Sequence, residues 1–160
     1  MGKIIAVCGK ICSGKSYYAN MLKSSGNYVI LSTDEATYDL ISNIQGEFYD
    51  EFCVRLNRYL LKKAVEIASA GCNVILDWGF WTAENRRSVA EYCQNMGTEI
   101  EWHYIDIDNK CWEESIQLRN EKIMQGNGGS DFYVDEGLKQ KLLSLWEEPL
   151  AEEIDVLIKR

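Results

Sequence analysis

Apolar positions fall along this chain in two alternating rhythms. Short, nearly continuous apolar runs rich in β-branched residues occur at KIIAVC (3–8), NYVILST (27–33), NVILD (73–77), EIEWHYIDI (99–107) and DVLI (155–158), and they predict five strands. Between them apolar residues recur at three and four: Phe52, Leu56, Leu60, Ala64 and Ile67, then Val89, Cys93 and Met96, then Trp112, Ile116 and Ile123, then Leu138, Leu142 and Trp146. That spacing places each group on one side of a helix. Strand and helix therefore alternate, which implies right-handed crossovers and a three-layer α/β fold around a mostly parallel five-stranded sheet. The central strands are apolar at almost every position, as burial on both faces requires. With 160 residues, no internal repeat and no linker, the chain is expected to form one domain, residues 1–160. The low-complexity stretch QGNGGSD (125–131) separates two predicted helices and is flexible by composition. It reads either as part of a lid, about residues 119–134, or as a plain linker.

Charge narrows the classes of partner. The formal net charge of −8 leaves no surplus of Lys and Arg to face a nucleic-acid backbone or an anionic membrane, so any phosphate site must be local. No apolar run approaches the roughly 20 residues of a membrane-spanning helix. The opening MGKIIAVCGK lacks a signal peptide's features, and Ala6 stands where a myristoylation signal wants Ser or Thr. A cytoplasmic protein is expected. Six cysteines, Cys8, Cys12, Cys53, Cys72, Cys93 and Cys111, form no CxxC pair, and His103 is the single histidine. Reduced thiols packed as small apolar residues fit that pattern, and His103 reads as structural. Cys12 is the exception, because its place inside a glycine loop predicts an exposed, reactive thiol.

That loop, GKICSGKS (9–16), carries the strongest chemical signal. It matches G-x-x-x-x-G-K-[ST] at Gly9, Gly14, Lys15 and Ser16, directly after a predicted strand and before a predicted helix. The glycines allow backbone N–H groups to turn inward on phosphate oxygens, and the helix adds its positive N-terminal end. Lys15 is expected to reach the β- and γ-phosphates, and the Ser16 hydroxyl to ligate Mg²⁺. Gly9, Cys12, Ser13, Gly14, Lys15, Ser16 and Tyr17 are the candidate nucleotide-binding residues of this P-loop. The fold expected is accordingly that of a P-loop NTPase with a lid segment.

Other candidates gather at predicted strand ends. Asp77 closes NVILD and either holds the hydrated magnesium with Ser16 or caps the next helix. Asp34, in STDEA (32–36), lies on the carboxyl edge of the sheet, where ligands bind in open α/β folds. It is the candidate base that takes a proton from an acceptor hydroxyl, although Ser32, Thr33 or Asp34 can equally cap a helix starting near Glu35. Arg86, Arg87 and Arg119 are candidate phosphate clamps, and Arg119 is favoured because a closing lid would carry it to the γ-phosphate. Trp78, Phe80 and Trp81 in DWGFW belong either to the core or to a pocket wall.

With these residues in place, the chain resembles the zeta-toxin-like and chloramphenicol-phosphotransferase-like P-loop kinases, an AAA-type group of ATP-binding proteins and predicted kinases. The matching stretches are GKICSGKS, the aspartate of LSTDEA, DWGFW followed by Arg86, and LRN at 118–120 before a variable loop. The resemblance implies binding of ATP and Mg²⁺ and transfer of the γ-phosphoryl group to a small hydroxyl-bearing acceptor. It also implies Asp34 as base, Arg119 as lid arginine and a role for Arg86. Ser115 stands where similar proteins often carry a second lid arginine, which predicts a weaker lid. The guanine-reading [NT]KxD motif is absent, so ATP is expected over GTP. The acceptor expected is an antibiotic, a sugar nucleotide or another polyol. A nucleoside or nucleotide kinase, or an ATP-binding switch with little transfer activity, are the competing readings.

Overall fold

A computed structural model describes residues 1–41, 47–129 and 131–160 of the chain. Five strands, β1 (Ile4–Cys8), β2 (Tyr28–Ser32), β3 (Asn73–Asp77), β4 (Ile100–Asp106) and β5 (Val156–Lys159), form one sheet in the order β2-β3-β1-β4-β5. Every neighbouring pair is parallel. The described helices are α1 (Lys15–Ser25), α2 (Thr33–Ile41), α3 (Glu47–Ser69), α4 (Ala83–Asn95), α5 (Asn109–Met124) and α6 (Glu136–Leu145). This is the P-loop NTPase fold of the kinase type.

The period-two alternation of strand residues separates two cores. Ile4, Ala6 and Cys8 of β1, Val74 and Leu76 of β3, and Trp102 and Tyr104 of β4 face Ala64, Val65 and Ala68 of α3 and Val89 and Cys93 of α4. Ile5, Val7, Ile75 and Ile105 face the other way, against Ala19, Tyr18 and Leu22 of α1. A third cluster, Ile11, Cys12, Ile107, Trp112, Ile116 and Val134, lies beyond the strand ends and seats α5 and α6 against the P-loop. Inside it the Trp112 indole N–H donates to the Ile11 carbonyl at 2.7 Å, fixing the start of α5 to the loop.

Strand ends fall within a residue or so of the apolar runs. The helices depart further: α3 begins at Glu47, ahead of its first periodic residue Phe52, and Met96 is 53% exposed where its spacing predicts burial. The helix α4 ends at Asn95 with Met96 as its C-cap, and Gly97 follows in the left-handed conformation, at φ 65°, that terminates helices.

Parallel register decides what meets at the carboxyl edge. Val7 and Ser32 both pair with Asp77, so the P-loop leaving β1, the residues after β2 and the end of β3 emerge side by side.

Candidate functional site

Gly9 leaves β1 in a space that permits no side chain: an added Cβ would lie 2.6 Å from Ser13 Oγ and 2.9 Å from the Ile105 carbonyl. Cys12 at φ 59° and Gly14 at φ 95° alternate left-handed backbone with ordinary turns, the geometry that aims successive N–H groups into one concavity. The left-handed state costs Cys12 roughly 1 kcal/mol or more, a strain found where a loop is shaped for a ligand. Ser13 is fully buried, and its hydroxyl has no partner among the described residues. Lys15 opens α1 and returns over the loop, its ammonium donating to the Gly9 carbonyl at 3.0 Å and the Lys10 carbonyl at 2.9 Å.

Cys12, Gly14 and Lys15 of the loop line a cleft of about 930 Å³, within the size range of small-molecule sites. Asp34 and Asp77 share it with Lys15. Burial lowers the Lys15 pKa, while the Asp77 and Asp34 carboxylates pull it back up. Asp34 is exposed at the cleft, and desolvation by the groups around it raises its pKa against the pull of Lys15 and Arg119. Neither aspartate is needed as a cap. The Ser32 hydroxyl accepts from Glu35 N–H at the start of α2, and Thr82 caps α4 by accepting from Asn85 N–H. Ser16 and Tyr17 sit at the cleft mouth, Tyr17 76% exposed.

Arg119, on the cleft side of α5, pairs with Asp131 across the glycine-rich loop at 3.2 Å. That loop is closed at its base by a clasp: the Asn120 side chain accepts from Val134 N–H and donates to the Val134 carbonyl, both at 2.8 Å. Ser115, one turn before Arg119, also lines the cleft.

Arg86 departs from expectation. It lies outside the cleft, 2% exposed, and its guanidinium is committed to Glu153 in a two-point ion pair at 3.1 and 3.2 Å and to the carbonyls of Phe80 and Glu147. Four of its five N–H donors are thereby engaged, and the contacts tie α4 to the segment before β5. Cys12 departs as well. It is buried, and loss of hydration pushes its thiol pKa up, against the pull of Arg119 and Lys15, so it is neither exposed nor activated. DWGFW divides between the two roles open to it. Phe80 is fully buried and packs edge-on against Trp102, whereas Trp81 faces the cleft with the Lys15 ammonium 5.6 Å from its ring centre. Trp78 does both, lining the cleft while its N–H donates to the Leu31 carbonyl. His103 lies between the Tyr18 hydroxyl at 2.8 Å and the Glu101 carboxylate at 3.3 Å, outside the cleft.

Several cleft residues escape a motif reading. Arg160, directly after β5, donates to the Ser13 carbonyl at 2.9 Å, and a Cβ on Gly14 would strike its guanidinium. Its signal was its place at a carboxyl strand end. From α3 come Tyr49, Asp50, Cys53 and Asn57, a polar counterpart at four-residue steps to the apolar face read from the sequence.

Among the described residues no helix is long and apolar enough to cross a membrane, and no group of three or more His, Cys, Asp or Glu is placed to hold a metal. Sheet order, P-loop and cleft together define a nucleotide-binding protein of the P-loop kinase-like class. The chain belongs to the AAA domain family, whose model matches residues 4–148. No curated protein matches its sequence significantly. Among solved structures it is similar to a protein of Chloroflexus aurantiacus j-10-fl provisionally described as a kinase, at 14% identity and TM-score 0.71, covering 99% of this chain and 86% of that one. A sugar kinase from Janibacter sp. HTCC2649 aligns at 16% identity and TM-score 0.67, covering 99% and 86%. The Mycobacterium tuberculosis APS kinase CysC, solved with AMPPNP and APS, aligns at 18% identity and TM-score 0.66, covering 99% and 88%. At these identities the likeness establishes the fold.

Proposed function

We propose that this protein is an ATP-dependent small-molecule kinase of the zeta-toxin-like and chloramphenicol-phosphotransferase-like kind, a single cytoplasmic domain over residues 1–160 with a lid at about 119–134. The observation that carries the reading is the meeting of Lys15, Asp34, Asp77 and Arg119 around one cleft. A nucleotide-binding loop alone needs no base; a carboxylate across the cleft from it, with a raised pKa, is what an acceptor hydroxyl requires.

In this reading the N–H groups from Gly9 to Tyr17 cradle the phosphates of ATP. The Lys15 ammonium exchanges its two loop carbonyls for β- and γ-phosphate oxygens. Ser16 and Asp77 would hold Mg²⁺, an ion that keeps most of its waters and so needs few protein oxygens, and bound there it would offset phosphate charge. Asp34 orients the acceptor hydroxyl and takes its proton as the new O–P bond forms and ADP departs. Arg119, released from Asp131, neutralises charge on the transferred group.

Two substitutions test this with ATP and pooled hydroxyl compounds, by ADP release and by mass of the acceptor. Asp34→Asn is expected to lower transfer by about 10²-fold or more while the Kd for ATP stays within about threefold. Lys15→Ala is expected to weaken ATP binding itself by about tenfold or more. Undiminished transfer by the Asp34 variant would refute its role as base, and tight ATP binding with no transfer to any pool would favour a nucleotide-dependent switch.

A further inference from the structure

The first turn of α1 leaves its backbone donors open. Its first internal bond runs from Tyr18 N–H to the Gly14 carbonyl at 3.0 Å, and the N–H groups of Gly14, Lys15, Ser16 and Tyr17 have no partner among the described residues. A helix longer by one residue would engage one of them, because the Ser13 carbonyl is the partner four residues back from Tyr17 N–H. That carbonyl is taken. It accepts instead from the Arg160 guanidinium at 2.9 Å, across 147 residues of sequence.

The same contact sets the plane of the peptide between Ser13 and Gly14. In a planar trans peptide the carbonyl and the following N–H point to opposite sides, so a Ser13 carbonyl held on Arg160 turns Gly14 N–H away from the guanidinium. Gly14 does not fix that plane by itself: it stands at φ 95°, and glycine accepts positive and negative φ about equally. Arg160 is anchored independently of its side chain. Its N–H donates to the Asp106 carbonyl at 2.9 Å and its carbonyl accepts from Asp108 N–H at 3.0 Å, continuing the β4–β5 ladder past Lys159. Gly14 leaves room for the guanidinium, since an added Cβ would meet Arg160 Nη1. Among the described ion pairs none draws Arg160 toward a carboxylate.

We propose that Arg160 is a positioning residue of the P-loop: it holds the Ser13–Gly14 peptide in the orientation that offers Gly14 N–H to a phosphate oxygen, and it keeps the Ser13 carbonyl from capturing Tyr17 N–H. The end of β5 thereby preorganises the loop that leaves β1. This inference rests on the nucleotide-binding reading of the loop, and it assigns Arg160 to the shape of the cradle, with no contact to the nucleoside.

The test compares the full chain with Arg160→Met, which keeps an apolar stem and removes the donors, and with Arg160→Lys, which keeps a donor. Calorimetry measures binding of a non-hydrolysable ATP analogue and of tripolyphosphate, which has the phosphates and no nucleoside. NMR relaxation dispersion at Gly14 N–H reads motion of the peptide in the ligand-free protein. Arg160→Met is expected to raise the Kd of both ligands by the same factor, about fivefold, and to bring millisecond exchange to Gly14 that the unaltered protein lacks. Arg160→Lys is expected to recover most of both. A Kd raised for the ATP analogue alone would overturn the proposal and place Arg160 against the nucleoside. Both Kd values raised with Gly14 still in one conformation would overturn it as well, leaving a plain attraction of the guanidinium for phosphate. Unchanged Kd values in Arg160→Met would end it outright. An unaltered protein that binds neither ligand would instead overturn the nucleotide-binding reading, with the Gly14 exchange still deciding whether Arg160 fixes the peptide.

Discussion

Arg86 and Arg119 show how little residue type says about role. Both are half-sheltered or buried arginines facing a carboxylate, but Arg119 makes one pair at the edge of the cleft and Arg86 engages four of its five N–H donors in the interior. Breaking a buried pair strands the remaining charge, so Arg86→Ala is expected to lower stability by about 3 kcal/mol in urea unfolding, and Arg86→Lys to recover little of it, since an ammonium cannot reproduce the two-point geometry. Asp34 carries the opposite sign. Its folded pKa lies above the ordinary 3.8, so in the window between those values the folded chain holds a proton the unfolded chain has released. Stability therefore falls as pH rises through that window, and the cost persists at neutral pH. Asp34→Asn is expected to melt higher than the unaltered protein at neutral pH, with the difference vanishing below about pH 3.8 in melts across the acid range. The acid limb of the transfer rate is expected to lie above the pH at which an ordinary carboxylate titrates.

At the scale of elements, the Asn120 clasp ties α5 to the segment before α6, the two ends of the proposed lid. Asn120→Ala removes both hydrogen bonds to the Val134 backbone. It is expected to speed amide exchange at Val134 by about tenfold, with a small change in global melting, because the loss is local. Elements were also where the sequence was most readable. Five strands and the P-loop announced themselves because burial on two faces and a phosphate cradle each demand a narrow set of residues. The burial of Arg86 was not legible because a helix position says nothing of what packs over it; Glu153, its partner, is distant in sequence. Arg160 and the polar face of α3 were missed for a related reason. Parallel register and crossover packing bring them to the P-loop, and neither leaves a local pattern.

For the whole molecule, a net charge of −8 coexists with five cations, Lys15, Arg119, Lys122, Lys141 and Arg160, lining one cleft. Nucleotide binding must therefore act as a ligand-linked brace, because ATP supplies the negative charge that those side chains lack. At a hundred times its Kd, ATP stabilises the folded state by about 2.7 kcal/mol, which for a chain of this size is a rise in Tm of about 5 to 10 °C. Thermal melts with and without ATP check this, and Lys15→Ala is expected to abolish most of the shift. The clasp beneath the lid has a practical consequence too. Asn120 and Val134 hold the two arms of the loop together at its base, and a Cβ added at Gly126 or Gly129 meets nothing within 4 Å. The tip is thus a place where a genetically inserted fluorophore can be carried without burdening the sheet below.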